Sequence, residues 1–207
     1  MSRSFADARR WMTHGTKLFV DAVSELDEAA YDSPSLLPGW TRRHLVAHVA
    51  ANADALGNLV RWAATGVETP MYASPEERSA GIERGVAMTG TELERWLRRS
   101  AEHMEAAMSA LTDEQWTTRV VTAQGRTVPA TETPWMRARE VSVHAVDLDL
   151  DVAFADLPDD FLVALVSDIT AKRGDVPVVD GPLPEVAAWL AARPYTLADA
   201  PALGPWL

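Results

Sequence analysis

The sequence predicts a mainly α protein: a four-helix bundle over residues 1–152, followed by a small α/β appendage over 153–207. Three observations carry that reading. Four long stretches repeat apolar residues at spacings of three, four and seven, the period of a helix with one buried face. Neither an internal repeat nor a series of alternating strands interrupts them. After residue 150 the pattern gives way to short, Pro-bounded segments.

The first helix is expected over 4–31, burying a stripe that includes Trp11, Leu18, Ala22 and Leu26. The second is expected over 42–64, with Thr41 as N-cap, Trp40 packing on Leu45 as a hydrophobic staple, and Gly66 as the stop. A link over 65–90 follows, long enough to suggest that it covers something. The third helix is expected over 92–110, opened by a capping box from Thr91 to Glu94. Residues 117–130 read as two short extended pieces around Gln124-Gly125. The fourth helix is expected over 134–150, opened by Thr133-Pro134. Beyond it, Pro158, Asp159 and Asp160 start a helix that Lys172, Arg173 and Gly174 close, with charges matching the macrodipole at both ends. VPVVD at 176–180 reads as a short strand, and 184–192 as a short helix before a Pro-rich tail. The long link between the second and third helices permits a topology other than simple up-and-down.

Composition narrows the function. With 207 residues, 47% of them hydrophobic and 24% charged, the chain can build a real core without disulfide staples. No apolar run is long enough to span a bilayer, and the N-terminus lacks the apolar core of a signal peptide, so a cytoplasmic location is expected. The net charge of −11 is concentrated in the tail: residues 146–207 hold 11 acidic and 3 basic side chains. Such a chain repels nucleic acid and anionic lipid, so neither is expected as a partner. There is no cysteine, which excludes thiolate metal ligands and a cysteine nucleophile; any thiol chemistry must use an imported thiol. Of the 19 cationic residues 17 are Arg, a side chain whose fork suits carboxylates, although codon bias is the stronger account of such a ratio.

Five histidines are present, and a lone helical histidine is commonly a packed or surface residue. His14 and His103 sit among polar neighbours. His44 and His48 are an i, i+4 pair on the second helix, with His48 mid-helix and facing inward and His44 nearer water. Glu140 and His144 are an i, i+4 pair on the fourth helix, in apolar surroundings. Two arrangements satisfy a buried Glu140. It pairs with an arginine such as Arg137 or Arg139, or it converges with His144 and His48 on a divalent metal, a two-His, one-carboxylate set that leaves a coordination position open. HExxH, glycine-rich phosphate-loop and GxSxG motifs are absent.

The stretches LLPGWTRRHLVAHVAANADALGNLVRWAATGVETPMYASPEER (36–78) and TAQGRTVPATETPWMRAREVSVHAVDLD (122–149) resemble the N-terminal domain of mycothiol-dependent maleylpyruvate isomerases. The similarity covers about residues 35–150. It implies the DinB-like metalloenzyme fold, a four-helix bundle, and a zinc ion held by the second histidine of HLxAHVA and by the Glu and His of RExxxHAVDL. These are His48, Glu140 and His144 here. It further implies substrate-binding roles for Arg193, which ends WLAAR, and for Arg78 in SPEER. The family's C-terminal α/β domain is longer, and the segment between Arg173 and Arg193 is short here, so a shortened appendage is expected.

The implied reaction is isomerisation of maleylpyruvate to fumarylpyruvate, a step of gentisate degradation, with mycothiol as cosubstrate. Arg193 and Arg78 would clamp the substrate carboxylates, and Asp147 would either support His144 from behind or, as its position suggests more strongly, face solvent. Transfer of mycothiol onto another electrophile, and a bundle that binds metal without catalysis, remain open alternatives. The chain is expected to work as a monomer or homodimer.

Overall fold

The computed structural model describes residues 3–206. Helix α1 spans Phe5–Ser24, opened by a capping box in which Ser4 Oγ accepts the Asp7 N–H and Asp7 accepts the Ser4 N–H. It ends seven residues before the periodicity does. Asp27 Oδ1 accepts the Ala30 N–H at 2.8 Å and starts a separate 3-10 turn, Ala30–Asp32, which turns Tyr31 into the core. Helix α2 spans Arg42–Thr65 and stops at Gly66, whose φ of 70° is the left-handed conformation glycine adopts without strain. The long link contains helix α3, Pro75–Val86. Helix α4, Gly90–Ser109, is capped by Thr89 with Glu92, not by the Thr91–Glu94 pair two residues on. A single turn, α5 (Asp113–Trp116), leads into the antiparallel hairpin β1 (Arg119–Val121) and β2 (Thr127–Pro129), paired Val120 to Val128. Helix α6 spans Thr133–Asp147, α7 Asp159–Arg173 and α8 Leu183–Leu190. The expected strand at 176–180 is absent: VPVVD is unpaired, with Val178 fully exposed and no neighbouring strand to satisfy it. No helix among the described residues is long and apolar enough to cross a membrane.

Helices α1, α2, α4 and α6 form the bundle, and their directions follow from pairwise contacts. Trp11 meets Trp135 and Gly15 meets Ser142, so α1 and α6 run parallel. Arg42 bonds the Leu148 carbonyl and Asn52 bonds Arg137, so α2 and α6 run antiparallel. Arg43 reaches the Met88 carbonyl and Asp54 meets Trp96, so α2 and α4 run parallel. The order is therefore up, down, down, up. The chain must travel back along the bundle between α2 and α4, and the α3 link is that return. Gly15 allows the tight α1–α6 approach: a Cβ there would lie 2.4 Å from Ser142 Oγ.

Apolar burial joins the appendage to the bundle. One cluster contains Trp11 of α1, Trp135 of α6, Phe161 and Leu165 of α7, and Trp189 of α8. Each large side chain removed from water there contributes roughly 1.5–3 kcal/mol. A second cluster, with Phe19, Leu45, Leu93, Leu97, Val141 and Leu148, holds the opposite end and sits beneath the first turns of α2.

Candidate active site

The antiparallel α2–α6 contact sets His48 opposite Glu140 and His144. His48 Nε2 lies 3.1 Å and His144 Nε2 3.3 Å from the same oxygen, Glu140 Oε2. The two imidazole rings are 5.1 Å apart and nearly perpendicular. Donor atoms of all three residues fall within 4.8 Å of one another, the one such cluster among the described residues. All three are largely shielded from solvent. Burial pushes the Glu140 carboxyl up, but hydrogen bonds from His144 and His48 outweigh it and hold the group well below its ordinary range. Burial pushes His48 down, against the opposing pull of Glu140.

The two histidines are moored differently. His144 Nδ1 lies 2.8 Å from Asp147 Oδ2. Asp147 is held by Arg193 through two bonds, Nε to Oδ1 at 2.8 Å and Nη2 to Oδ2 at 2.7 Å. Burial raises the Asp147 carboxyl, yet Arg193 and His144 together keep it below the usual carboxylate range. An ionised carboxylate only accepts, so His144 Nδ1 carries a proton, and loss of the Nε2 proton to an incoming ion would leave the lone pair on the side of Glu140 and His48. This is the tautomer a metal ligand needs. His48 Nδ1, by contrast, is buried without a partner, and the edge of Trp40, 5.5 Å away, restrains its ring. Two imidazole nitrogens and one carboxylate oxygen, one of them tautomerically fixed from behind, fit a divalent transition ion.

The site opens on a cavity of about 410 Å³, within the size range of small-molecule pockets. His48 and Glu140 form part of its wall, with Asn52, Tyr72 and Arg78 nearby. Helix α3 brings Arg78 there, and the hairpin turn brings Gln124 and Arg126. Helix α7 supplies Lys172, and the C-terminal segment supplies Trp206. A larger groove of about 560 Å³ between α1 and α4 contains none of the triad.

Several expectations change. Arg193 does not line this cavity. Its Nε and Nη2 are bound to Asp147, and its Nη1 to the Ala191 and Trp206 carbonyls, which commits four of its five N–H donors within the protein. Asp147 is fully buried, because a carboxylate bonded by an arginine and a histidine tolerates burial that an isolated one does not. Neither candidate arginine pairs with Glu140. Arg137 is fully buried, donates to the Val49 carbonyl and Asn52, and is pushed by burial down to about 10. Arg139 pairs with Asp168 at 2.9 Å. Trp40 lies against His44 and His48. Arg126, Arg139, Lys172 and Trp206 had no local motif to mark them. Helix α3 did: Ser74-Pro75-Glu76-Glu77 is an N-cap, a first-turn proline and two dipole-matching acids.

Known proteins resemble the chain over this same region. The family described as "Mycothiol maleylpyruvate isomerase N-terminal domain" matches residues 12–149. The crystal structure of the mycothiol-dependent maleylpyruvate isomerase superposes with a TM-score of 0.91 at 35% identity, over 99% of this chain and 98% of that one. A histidine-to-alanine mutant of such an isomerase matches at 0.91 and 34%, with the same coverage. Both matches extend through the C-terminal region. YfiT from Bacillus subtilis, described as having an unusual four-helix bundle topology, matches at 0.58 and 18% identity, over 72% of this chain and 87% of that one, which shows a shared fold alone. A comparison with curated proteins finds no match. With two thirds of its length matched by the family and a solved relative aligned nearly end to end, the chain belongs to the mycothiol maleylpyruvate isomerase N-terminal domain family.

Proposed function

We propose that this protein isomerises maleylpyruvate to fumarylpyruvate with mycothiol as cosubstrate, using a divalent ion, zinc by the nature of the donors, held by His48, Glu140 and His144. One observation carries the reading: a buried two-histidine, one-carboxylate cluster opens on a small-molecule cavity in a chain that has no thiol of its own. The kinship with mycothiol-dependent isomerases supports the choice of thiol and substrate.

The barrier is the double bond. Addition of a thiolate to the alkene carbon β to the ketone forms a C–S bond and moves the π electrons through the adjacent carbon onto the ketone oxygen as an enolate. The two former alkene carbons are then joined by a single bond that rotates. Return of the electrons re-forms the double bond in its trans form and releases the thiolate, so no atoms or electrons are gained or lost. A free thiol has a pKa of about 8.5, and the ion, when bound, would lower it so that sulfur meets the substrate ionised. Glu140 offsets positive charge at the site. Asp147, clamped by Arg193, keeps His144 in one tautomer and orientation, so Arg193 acts as a positioning residue. Arg78, on the cavity wall, donates to a substrate carboxylate or to the enolate oxygen.

The test is to incubate the metal-loaded protein with maleylpyruvate, with and without mycothiol. The proposal expects fumarylpyruvate only when the thiol is present. Accumulation of a mycothiol adduct would instead identify an S-transferase, and absence of both products would remove the catalytic reading.

A further inference from the structure

The cavity has a second chemical character that the triad does not explain. Four cationic side chains line it: Arg78, Arg126, Arg139 and Lys172. They come from α3, the hairpin turn, α6 and α7, in a protein whose net charge is −11. The acid beside them, Asp168, is shared between Arg139 at 2.9 Å and Lys172 at 2.7 Å, so this corner retains excess positive charge. Arg126 is exposed on the turn and forms no ion pair among the described residues.

Two further features point to an absent acceptor. Arg139 Nε is buried with no hydrogen-bond partner, although the guanidinium is held between the rings of Trp135 and Trp206, 5.8 Å from each. Leaving a charged donor unmatched is costly, and a negative ligand removes the cost. Lys172 stands 5.9 Å from the Trp206 ring; burial first, and then the nearby charges of Arg139 and Arg126, push its ammonium below the ordinary value against the pull of Asp168. Like charges crowded around one space favour an anion within it.

We propose that Arg126 and Lys172, backed by Arg139, form an anion subsite that takes one of the substrate's two carboxylates and selects dicarboxylates over monocarboxylates. The inference rests on the isomerase reading for the identity of the substrate, not for the existence of the subsite. Arg139 immediately precedes Glu140 on α6, so the subsite flanks the triad, and a short dicarboxylate held there lies along the cavity. Arg126 sits on a turn between two three-residue strands, a segment able to adjust to the ligand.

The experiment measures binding of maleate and of isocrotonate to the metal-loaded protein by calorimetry. The two share a cis four-carbon skeleton, and isocrotonate carries a methyl group in place of one carboxylate. The wild type is expected to prefer maleate by about tenfold or more, the value of a charge-assisted contact. Arg126→Gln and Lys172→Gln should each shrink that preference toward unity with isocrotonate binding unchanged, and Arg126→Lys should restore most of it. Equal binding of the two acids by the wild type, or an undiminished preference in both glutamine variants, would overturn the subsite. If the preference and its loss are found while maleylpyruvate is not isomerised, the subsite stands and the isomerase reading falls.

Discussion

The two sides of the cavity are built by different means. The donor wall stands on α2 and α6, bundle helices whose side chains are fixed by the core around Leu45, Val141 and Leu148. Its key groups are buried, His144 is bonded from behind by Asp147, which Arg193 clamps, and Glu140 and His144 are separated by one helical turn on α6. The cationic wall is assembled mostly from a hairpin turn, the link helix α3 and the appendage helix α7, with Arg139 of α6 behind them and a single shared counter-charge, Asp168. The first wall suits a task that tolerates no displacement, such as holding an ion. The second suits recognition of a substrate that enters and leaves. Rigid elements carry the chemistry here, and connections carry the selectivity.

The largest effects belong to the donor wall. His48→Ala or His144→Ala should abolish stable metal binding and reduce isomerase turnover by more than the ~100-fold that losing an outer partner costs. Metal analysis and product assay on the same preparation check this. Next comes the support behind it. Asp147→Asn should weaken metal affinity by roughly 10–100-fold, read by competition with a chelator. Arg193→Leu should act in the same direction through Asp147, and Arg193→Lys should recover part of the loss. If Arg193→Leu raised KM for maleylpyruvate while leaving metal affinity intact, Arg193 would be a substrate clamp after all. Beneath the donor wall, Gly15→Ala pushes a methyl into Ser142 and Val141 on α6 and should destabilise the fold by about 1–3 kcal/mol in denaturant melts. The smallest effect is expected on the connecting side: Val178→Asp, on an unpaired and fully exposed segment, should change stability by less than about 0.5 kcal/mol and leave turnover as it was.

The same contrast explains what the sequence made legible. The helices and two of the three candidate metal donors follow from local rules, because i, i+4 spacing places Glu140 and His144 on one face before any tertiary contact is known. The pairing of that face with His48 needs the antiparallel α2–α6 contact, which resemblance supplied and periodicity alone did not. Asp147 was misjudged because its burial depends on Arg193, 46 residues away. Arg126, Arg139 and Lys172 are separated along the chain and meet only when α7 folds over the bundle, so no short motif could join them. The VPVVD segment shows the converse error: strong strand propensity with no partner edge yields no strand.

Anomalous diffraction from crystals of the protein soaked in a zinc salt, collected at the zinc absorption edge, addresses the donor wall itself. A single strong peak between His48 Nε2, His144 Nε2 and Glu140, lost in the His144→Ala variant, is the predicted result. A peak elsewhere in the molecule, or none at that position, would contradict the account.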